Sequence, residues 1–306
     1  LLADDAGDPT ATAGHAGLGD LARATAEQLK AQGTTSVSLR LDDTLFTGAQ
    51  WNDGWEAGNE QYVAKVQPIM VDVSATQNQG YPADPAMEAA QAFARHLSEA
   101  GITVDGDASR AAAPGGAKEL ASVSSAPLSD ILALSLKTSD NTMTEVEGRL
   151  VALQAKETAD FAGASKAVAA QLRKDGFDTS GLTLLDSSGL AKGNKVPARL
   201  LAQILAKSAG DDGGSAGRTL VADLPVGALD GTLGNRLHDT AAAGTVRAKT
   251  GSLEQTSSLA GVVTTADGRL LAFAILANGF PANGGSAAGA AIDNHFVAPL
   301  ASCGCS

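Results

Sequence analysis

The chain has 306 residues, 44% of them hydrophobic but only 4% aromatic, so its core must be built mainly from Ala, Val and Leu. Its 34 acidic and 22 basic side chains leave a net charge of −12, which argues against nucleic acid and against anionic membranes as partners, since both need clustered Lys or Arg. No apolar run approaches the ~18 residues of a membrane span; the longest lies near residues 270–277.

Gly7-Asp8-Pro9-Thr10 predicts a turn. Leu18, Leu21, Ala22, Ala26 and Leu29 share one helical face, and Gly33 stops that helix as a C′ glycine. Val37 and Leu39 alternate with Ser36, Ser38 and Arg40 in the manner of a strand. Residues 47–85, rich in Gly, Asn, Asp, Gln and Pro, predict irregular loop. A helix over 85–100 turns Met87, Ala90, Phe93 and Leu97 inward, Gly101 closes it, and a short strand covers 102–104. Residues 111–117, around Pro114-Gly115-Gly116, form a surface loop.

Helices are predicted over 127–137, 142–153, 162–174 and 197–208. The first two are separated by Thr138-Ser139-Asp140-Asn141. A short strand is expected at 182–185, a linker-like loop at 211–217 and irregular chain over 224–239. The end is strand-rich, with strands at 245–250, 257–264 and 270–277. Ala266-Asp267-Gly268 makes a hairpin turn between the last two, and a helix over 287–300 closes the chain. Helices in the middle and antiparallel strands at the end predict an α+β fold, not a parallel doubly wound sheet.

Cys303 and Cys305 sit at the extreme C-terminus, where they form a free or locally bridged tail and not a disulfide framework. His15, His96, His238 and His295 have no metal-ligand spacing, so no metal is expected. No G-x-G-x-x-G follows a strand and no phosphate-binding loop motif occurs, so no nucleotide cofactor is expected. No G-x-S-x-G nucleophile elbow is present.

Two short motifs remain. Ser139-Asp140-Asn141 lies at a helix–helix junction, and Lys249-Thr250-Gly251 lies at the end of a strand 110 residues later. Each alone is weak: Ser139 reads equally as a helix N-cap, Asn141 as a turn residue and Lys249 as a solvated strand end. Their order and context raise them, because S-x-x-K, S-D-N and K-T-G together mark active-site serine β-lactamases and penicillin-binding proteins. Acyl transfer needs a nucleophile, a proton acceptor, a proton shuttle and oxyanion donors. A loop Ser beside a strand Lys supplies a proton relay to the leaving amine. An Asn amide can hold both a Lys and a substrate amide oxygen. Gly251 lets an extended substrate lie along the strand edge.

The chain resembles the D-alanyl-D-alanine carboxypeptidase/endopeptidase group of low-molecular-mass class C penicillin-binding proteins, nearly end to end. Residues 2–10, ending Gly7-Asp8-Pro9-Thr10, are similar to the family's glycine-rich stretch before G-D-P-T. Asp42-Asp43-Thr44-Leu45-Phe46 resembles its D-D-T-x-F. The run from Leu134 to Asn141 resembles its helix leading into S-x-N, and Asp186-Ser187-Ser188-Gly189-Leu190 its D-G-S-G-L. Leu224-Pro225-Val226, Asp230-Gly231-Thr232-Leu233 and Arg236 resemble its L-P-V…D-G-T-L-x-x-R. Arg247-Ala248-Lys249-Thr250-Gly251-Ser252-Leu253 resembles its A-K-T-G-[TS]-L strand.

The resemblance implies a transpeptidase fold like that of penicillin-binding proteins and serine β-lactamases: an antiparallel sheet flanked by helices, plus a helical subdomain, with the N-terminal part missing. Residues 1–126 would be the N-terminal part, with a reduced accessory insertion near 47–85. Residues 127–240 would carry S-D-N, and 241–306 the K-T-G strands and closing helix. Ser139 and Lys249 would relay the proton, and Asn141 would contact substrate. Thr250 and Ser252 would hold the terminal carboxylate beside Gly251, with the Ser252 N–H an oxyanion donor. The implied partners are stem peptides ending in D-Ala-D-Ala, and β-lactams; the implied place is outside the cell or at a bacterial cell wall; no cofactor is implied.

The sequence departs from the family at one decisive point. The nucleophile belongs to a Ser-x-x-Lys motif upstream of G-D-P-T, and no Ser-x-x-Lys occurs anywhere in the 306 residues. The chain alone is therefore expected to be inactive. The abrupt Leu1 start favours a fragment of a serine D-Ala-D-Ala peptidase. The alternative is a pseudo-enzyme that binds muropeptides or cell wall on the same fold. A class A β-lactamase would also need a deacylating Glu, and no E-x-x-L-N lies between the two triplets.

Overall fold

In a computed structural model, residues 2–71 and 80–304 are described. Residues 72–79 of the expected 47–85 loop, and Cys305 of the expected cysteine tail, lie outside them. The chain opens with short strands β1 (Leu2–Ala3) and β2 (Ala16–Gly17), paired in parallel, and helix α1 (Leu18–Ala31). Strands β3 (Ser36–Val37) and β4 (Arg40–Leu41) follow, then a 3₁₀ turn at Asn59–Gln61 and helix α2 (Pro85–Glu99). Asp84 caps α2 by accepting the Met87 N–H at 3.3 Å, and Pro85 occupies a first-turn position where no N–H is needed. Strands β5 (Thr103–Val104) and β6 (Ser109–Arg110) pair in parallel with β3 and β4.

Helices α3 (Leu128–Thr138), α4 (Asn141–Gln154), α5 (Phe161–Lys174), α6 (Ala198–Ala209) and α7 (Gly214–Asp223) follow. Strands β7 (Val246–Leu253), β8 (Thr256–Thr264) and β9 (Leu270–Asn278) form an antiparallel sheet in that order. Helices α8 (Gly285–Ile292) and α9 (Ala298–Ser302) end the chain, joined by a wider π turn at Asp293–Val297. That turn leads into the first-turn Pro299, whose missing N–H would interrupt a uniform α-helix.

The chain divides into two compact units, with breaks inside α3 and α5. One unit comprises Leu1–Ile131, Asn141–Ala167 and Leu185–Lys192. In it the apolar faces of α1 and α2 meet through Ala22, Ala26, Leu29 and Leu97, as their spacing predicts, and Ile102 just after α2 joins the cluster. A second cluster gathers Trp55, Val63, Val66, Leu190 and Ala191. The other unit comprises Leu132–Asp140, Val168–Leu184 and Gly193–Ser306. One face of its sheet, through Val246, Ala248, Leu259, Val263 and Phe273, packs on Ile292, Val297 and Ala301 of the closing helices. Phe273 apart, these are small or branched aliphatic side chains, as an aromatic-poor sequence requires.

Two expectations change. Residues 211–217 are not a linker: a 3₁₀ turn at Asp211–Gly213 runs straight into α7. Glycines disfavour an isolated helix, but here they permit packing. A Cβ on Gly217 would come within 2.7 Å of the Ser208 Cα, so only glycine lets α7 lie this close to α6. Residues 182–185 form no strand; Thr183 and Lys195 exchange a single antiparallel pair of hydrogen bonds at 2.8 Å. None of residues 182–185 is fully buried, so no core face extends the pairing.

Candidate active site

Ser139 is a product of how α3 ends. The Asp140 N–H donates to the Ser135 carbonyl at 3.3 Å, a backward bond that closes the last turn and puts Ser139 at the C′ position. Its φ is +57°, the left-handed region where glycine is the usual occupant. A serine held there stores strain of roughly 1 kcal/mol. Ser139 is therefore the C-terminal cap of α3 and not the N-cap of α4.

Lys249 is the fourth residue of β7. Residues Pro225 and Gly227 pair with the start of that strand, through Ala248 N–H to Pro225 O at 2.9 Å and Gly227 N–H to Val246 O at 3.0 Å. In an antiparallel ladder alternate residues turn their N–H and C=O to the same side. The backbone groups of Thr250 and Ser252 therefore face this outer edge, beyond the point where Pro225 covers it. Lys249 Nζ donates to Ser139 Oγ at 2.5 Å and to Thr250 O at 3.0 Å. Both partners are uncharged, and burial pushes the Lys249 amine down to about 8. An amine near 8 is present in both charged and neutral forms close to neutral pH, which is what a proton shuttle needs.

Thr250 Oγ1 donates to Thr232 Oγ1 at 2.9 Å. Gly251 pairs with Ser258 of β8, where a side chain on Gly251 would run into the Ser258 hydroxyl. Ser252 pairs with Ser257 and is exposed. The structure thus brings Ser139, Lys249 and Thr250 together in one unit, with Gly251 and Ser252 following on the same strand.

Asn141, two residues after Ser139, opens α4 and belongs to the other unit. Its Nδ2 donates to Tyr62 O at 3.0 Å, and next to it the Thr142 hydroxyl accepts the Ala64 N–H at 2.9 Å. Further along α4, Glu145 is buried and accepts the backbone N–H groups of Ser187 (3.0 Å) and Ser188 (2.7 Å). Burial raises its carboxyl from 4.5 to about 7, with the Ser188 donors opposing and Asp186 reinforcing the shift. Asp186 in turn accepts the Trp55 indole N–H at 2.8 Å and the Ala191 N–H at 2.7 Å.

Lys137, Asp230 and Thr232 lie beside the Ser139–Lys249 contact. Lys137 Nζ donates to Asp230 Oδ2 at 2.6 Å and to Leu224 O at 2.8 Å. Asp230 Oδ1 accepts the Val226 N–H at 2.7 Å. Burial works to raise the Asp230 carboxyl, but Lys137 and the Val226 N–H outweigh it and hold the group below its usual range. Thr232 is the third. Lys137, Thr138, Gly231 and Thr232 line an open groove of about 470 Å³. In the sequence Lys137 falls in the run leading into S-x-N, and Asp230 and Thr232 in the D-G-T-L segment. Among the described residues no group of three His, Cys, Asp or Glu side chains is placed to hold a metal ion.

A family model described as the D-Ala-D-Ala carboxypeptidase 3 (S13) family matches residues 1–83 and 81–298. The chain is 36% identical over 322 residues to carboxypeptidase Rv3627c of Mycobacterium tuberculosis, covering 98% of this chain and 66% of that protein. It is 37% identical over 315 residues to carboxypeptidase DacB of Mycolicibacterium smegmatis, covering 100% and 66% respectively. The chain thus spans 66% of the length of these two relatives. Among solved structures, penicillin binding protein 4 (DacB) of Haemophilus influenzae superposes with a TM-score of 0.71 at 24% identity, over 90% of this chain and 75% of that one. The same protein complexed with a β-lactam gives 0.66 at 26% identity, over 90% and 74%.

Proposed function

Because the chain belongs to the D-Ala-D-Ala carboxypeptidase 3 (S13) family, we propose that it carries the proton-relay and carboxylate-binding half of a serine D-Ala-D-Ala peptidase. The observation that carries this reading is the 2.5 Å contact between the strained Ser139 hydroxyl and the half-buried Lys249 amine. The reaction is acyl transfer. A serine oxygen from a Ser-x-x-Lys segment, absent from these 306 residues, gives its proton to the lysine of that segment and attacks the carbonyl of the penultimate D-Ala. The C–N bond breaks, and the departing amine takes a proton from Ser139, which is resupplied by Lys249. Water then hydrolyses the acyl-enzyme.

Thr250, positioned by Thr232, and Ser252 receive the substrate's terminal carboxylate, and Gly251 leaves room for an extended peptide along β7. The Ser252 N–H, on the outer edge of the strand, serves as an oxyanion donor. Asn141 contributes an amide to the substrate, a role taken from the S-D-N triplet. The substrates are peptidoglycan stem peptides, as terminal D-Ala or as D-Ala cross-links, and β-lactams acylate the same external serine. Such a substrate places the protein outside the cytoplasmic membrane. Among the described residues no helix is long and apolar enough to cross a membrane.

Fluorescent penicillin tests this. The 306-residue chain takes no covalent label, whereas the chain joined to its family's Ser-x-x-Lys segment does. Covalent labelling of the 306-residue chain by itself would overturn the reading. Binding of a D-Ala-D-Ala peptide with neither label nor D-Ala release from the joined chain would make it a non-catalytic muropeptide binder.

A further inference from the structure

Ser139 and Lys249 sit on separate elements, 110 residues apart, and a 2.5 Å contact between them needs something to fix both elements. We propose that Lys137 and Asp230 are positioning residues that buckle the end of α3 to the flank of β7 and thereby set the Ser139–Lys249 separation. This inference rests on the relay reading above.

The contacts close a ring. Lys137 stands two residues before Ser139 in the last turn of α3 and grips Asp230 and the Leu224 carbonyl at once. Asp230 holds the Val226 N–H. Its neighbours Pro225 and Gly227 are hydrogen-bonded to Ala248 and Val246 of β7. One residue beyond Ala248 is Lys249, which returns to Ser139. Gly231 tightens the same ring from the other side. Its φ is +54°, and a Cβ there would come within 2.7 Å of the Lys137 carbonyl, so the turn after Asp230 presses directly on the α3 terminus. A lysine used only for solubility would extend into water; this one spends its donors on a carboxylate and a backbone carbonyl of one turn.

The test is an NMR titration of the Lys249 amine in the 306-residue chain, comparing Lys137→Met, Asp230→Asn and the exchanged pair Lys137→Asp/Asp230→Lys. Loosening the ring admits water to the amine and relieves its burial. Each single variant is expected to raise the Lys249 pKa by about one pH unit or more, and the exchanged pair to bring it back within about 0.3. Asp230→Asn keeps the shape and the acceptor for the Val226 N–H, so it gives the reading even where Lys137→Met does not fold. Folded single variants, melting within about 3 °C of the parent, whose Lys249 titrates as before would overturn the proposal. So would an exchanged pair that behaves like the singles. Ser139→Ala separates this from the relay reading. It removes a hydrogen bond to the charged amine, so it lowers the Lys249 pKa if the relay contact exists and leaves it unmoved if it does not.

Discussion

Arg149 and Lys249 are both drawn out of water, and they are partnered differently. Arg149 on α4 is 1% exposed. Its guanidinium donates to the carbonyls of Thr47 (3.1 Å), Ala49 (3.1 Å) and Ala159 (2.6 Å), and it stacks on Phe161 at 4.2 Å. Among the described residues Lys249 donates to a hydroxyl and one carbonyl. Burial lowers both, but a guanidinium starts so high that it stays charged, whereas the amine falls to about 8. A guanidinium held by three carbonyls fastens loops even with its Nε unpaired among the described residues, because it stays charged; an amine with a lowered pKa is ready to give up its proton.

The comparison breaks most directly at Arg149. Arg149→Met removes a charged donor from the carbonyls of Thr47, Ala49 and Ala159, of which Ala159 O keeps the Thr47 N–H at 3.0 Å. It is expected to cost about 3–5 kcal/mol in urea unfolding, because charged hydrogen bonds and the packing on Phe161 are lost together. A loss below about 1 kcal/mol would mean water replaces the guanidinium.

Lys249→Met should do the reverse. The folded-state pKa lies below the ordinary 10.5, so the stability this amine contributes is full above that value and is lost as pH falls through about 8. The parent is expected to gain up to about 3 kcal/mol between pH 8 and 10.5, and Lys249→Met to lack that rise. Identical pH–stability curves would contradict the burial argument.

Glu145 sharpens the contrast with a third buried charge, of opposite sign. Its folded-state pKa is raised to about 7, so its contribution is full below pH 4.5 and is lost as pH rises through 7. Glu145→Gln should flatten that fall, by roughly 2–3 kcal/mol, while still accepting the Ser187 and Ser188 N–H groups. The smallest effect belongs to Ser139→Gly, expected to stabilise by about 1 kcal/mol by relieving the left-handed backbone. Ser139→Ala keeps the strain and should not stabilise.

The sequence announces the proposed relay residues better than what holds them. S-D-N and K-T-G are weak singly but follow one another in a recognisable order and context, so Ser139 and Lys249 stand out. Alternation marks β8, a continuous apolar run marks β9, and the apolar stripe of α1 marks that helix. The Lys137–Asp230 link is invisible at that level: it joins two common residue types 93 positions apart, and nothing local distinguishes it from a solvated charge. The left-handed Ser139 is equally hidden, since serine is not the residue that conformation usually selects. The glycines of 211–217 mislead for a related reason. Read alone they signal flexibility, yet Gly217 permits the close approach of α7 to α6, a tertiary effect that overrides propensity.

The most direct measurement is D-Ala release from a D-Ala-D-Ala peptide by the chain joined to its family's Ser-x-x-Lys segment, with and without Ser139→Ala and Lys249→Met. The relay requires each variant to slow the reaction by about a hundredfold or more. Release within about twofold of the parent in either variant would show that the 2.5 Å contact moves no proton in the reaction.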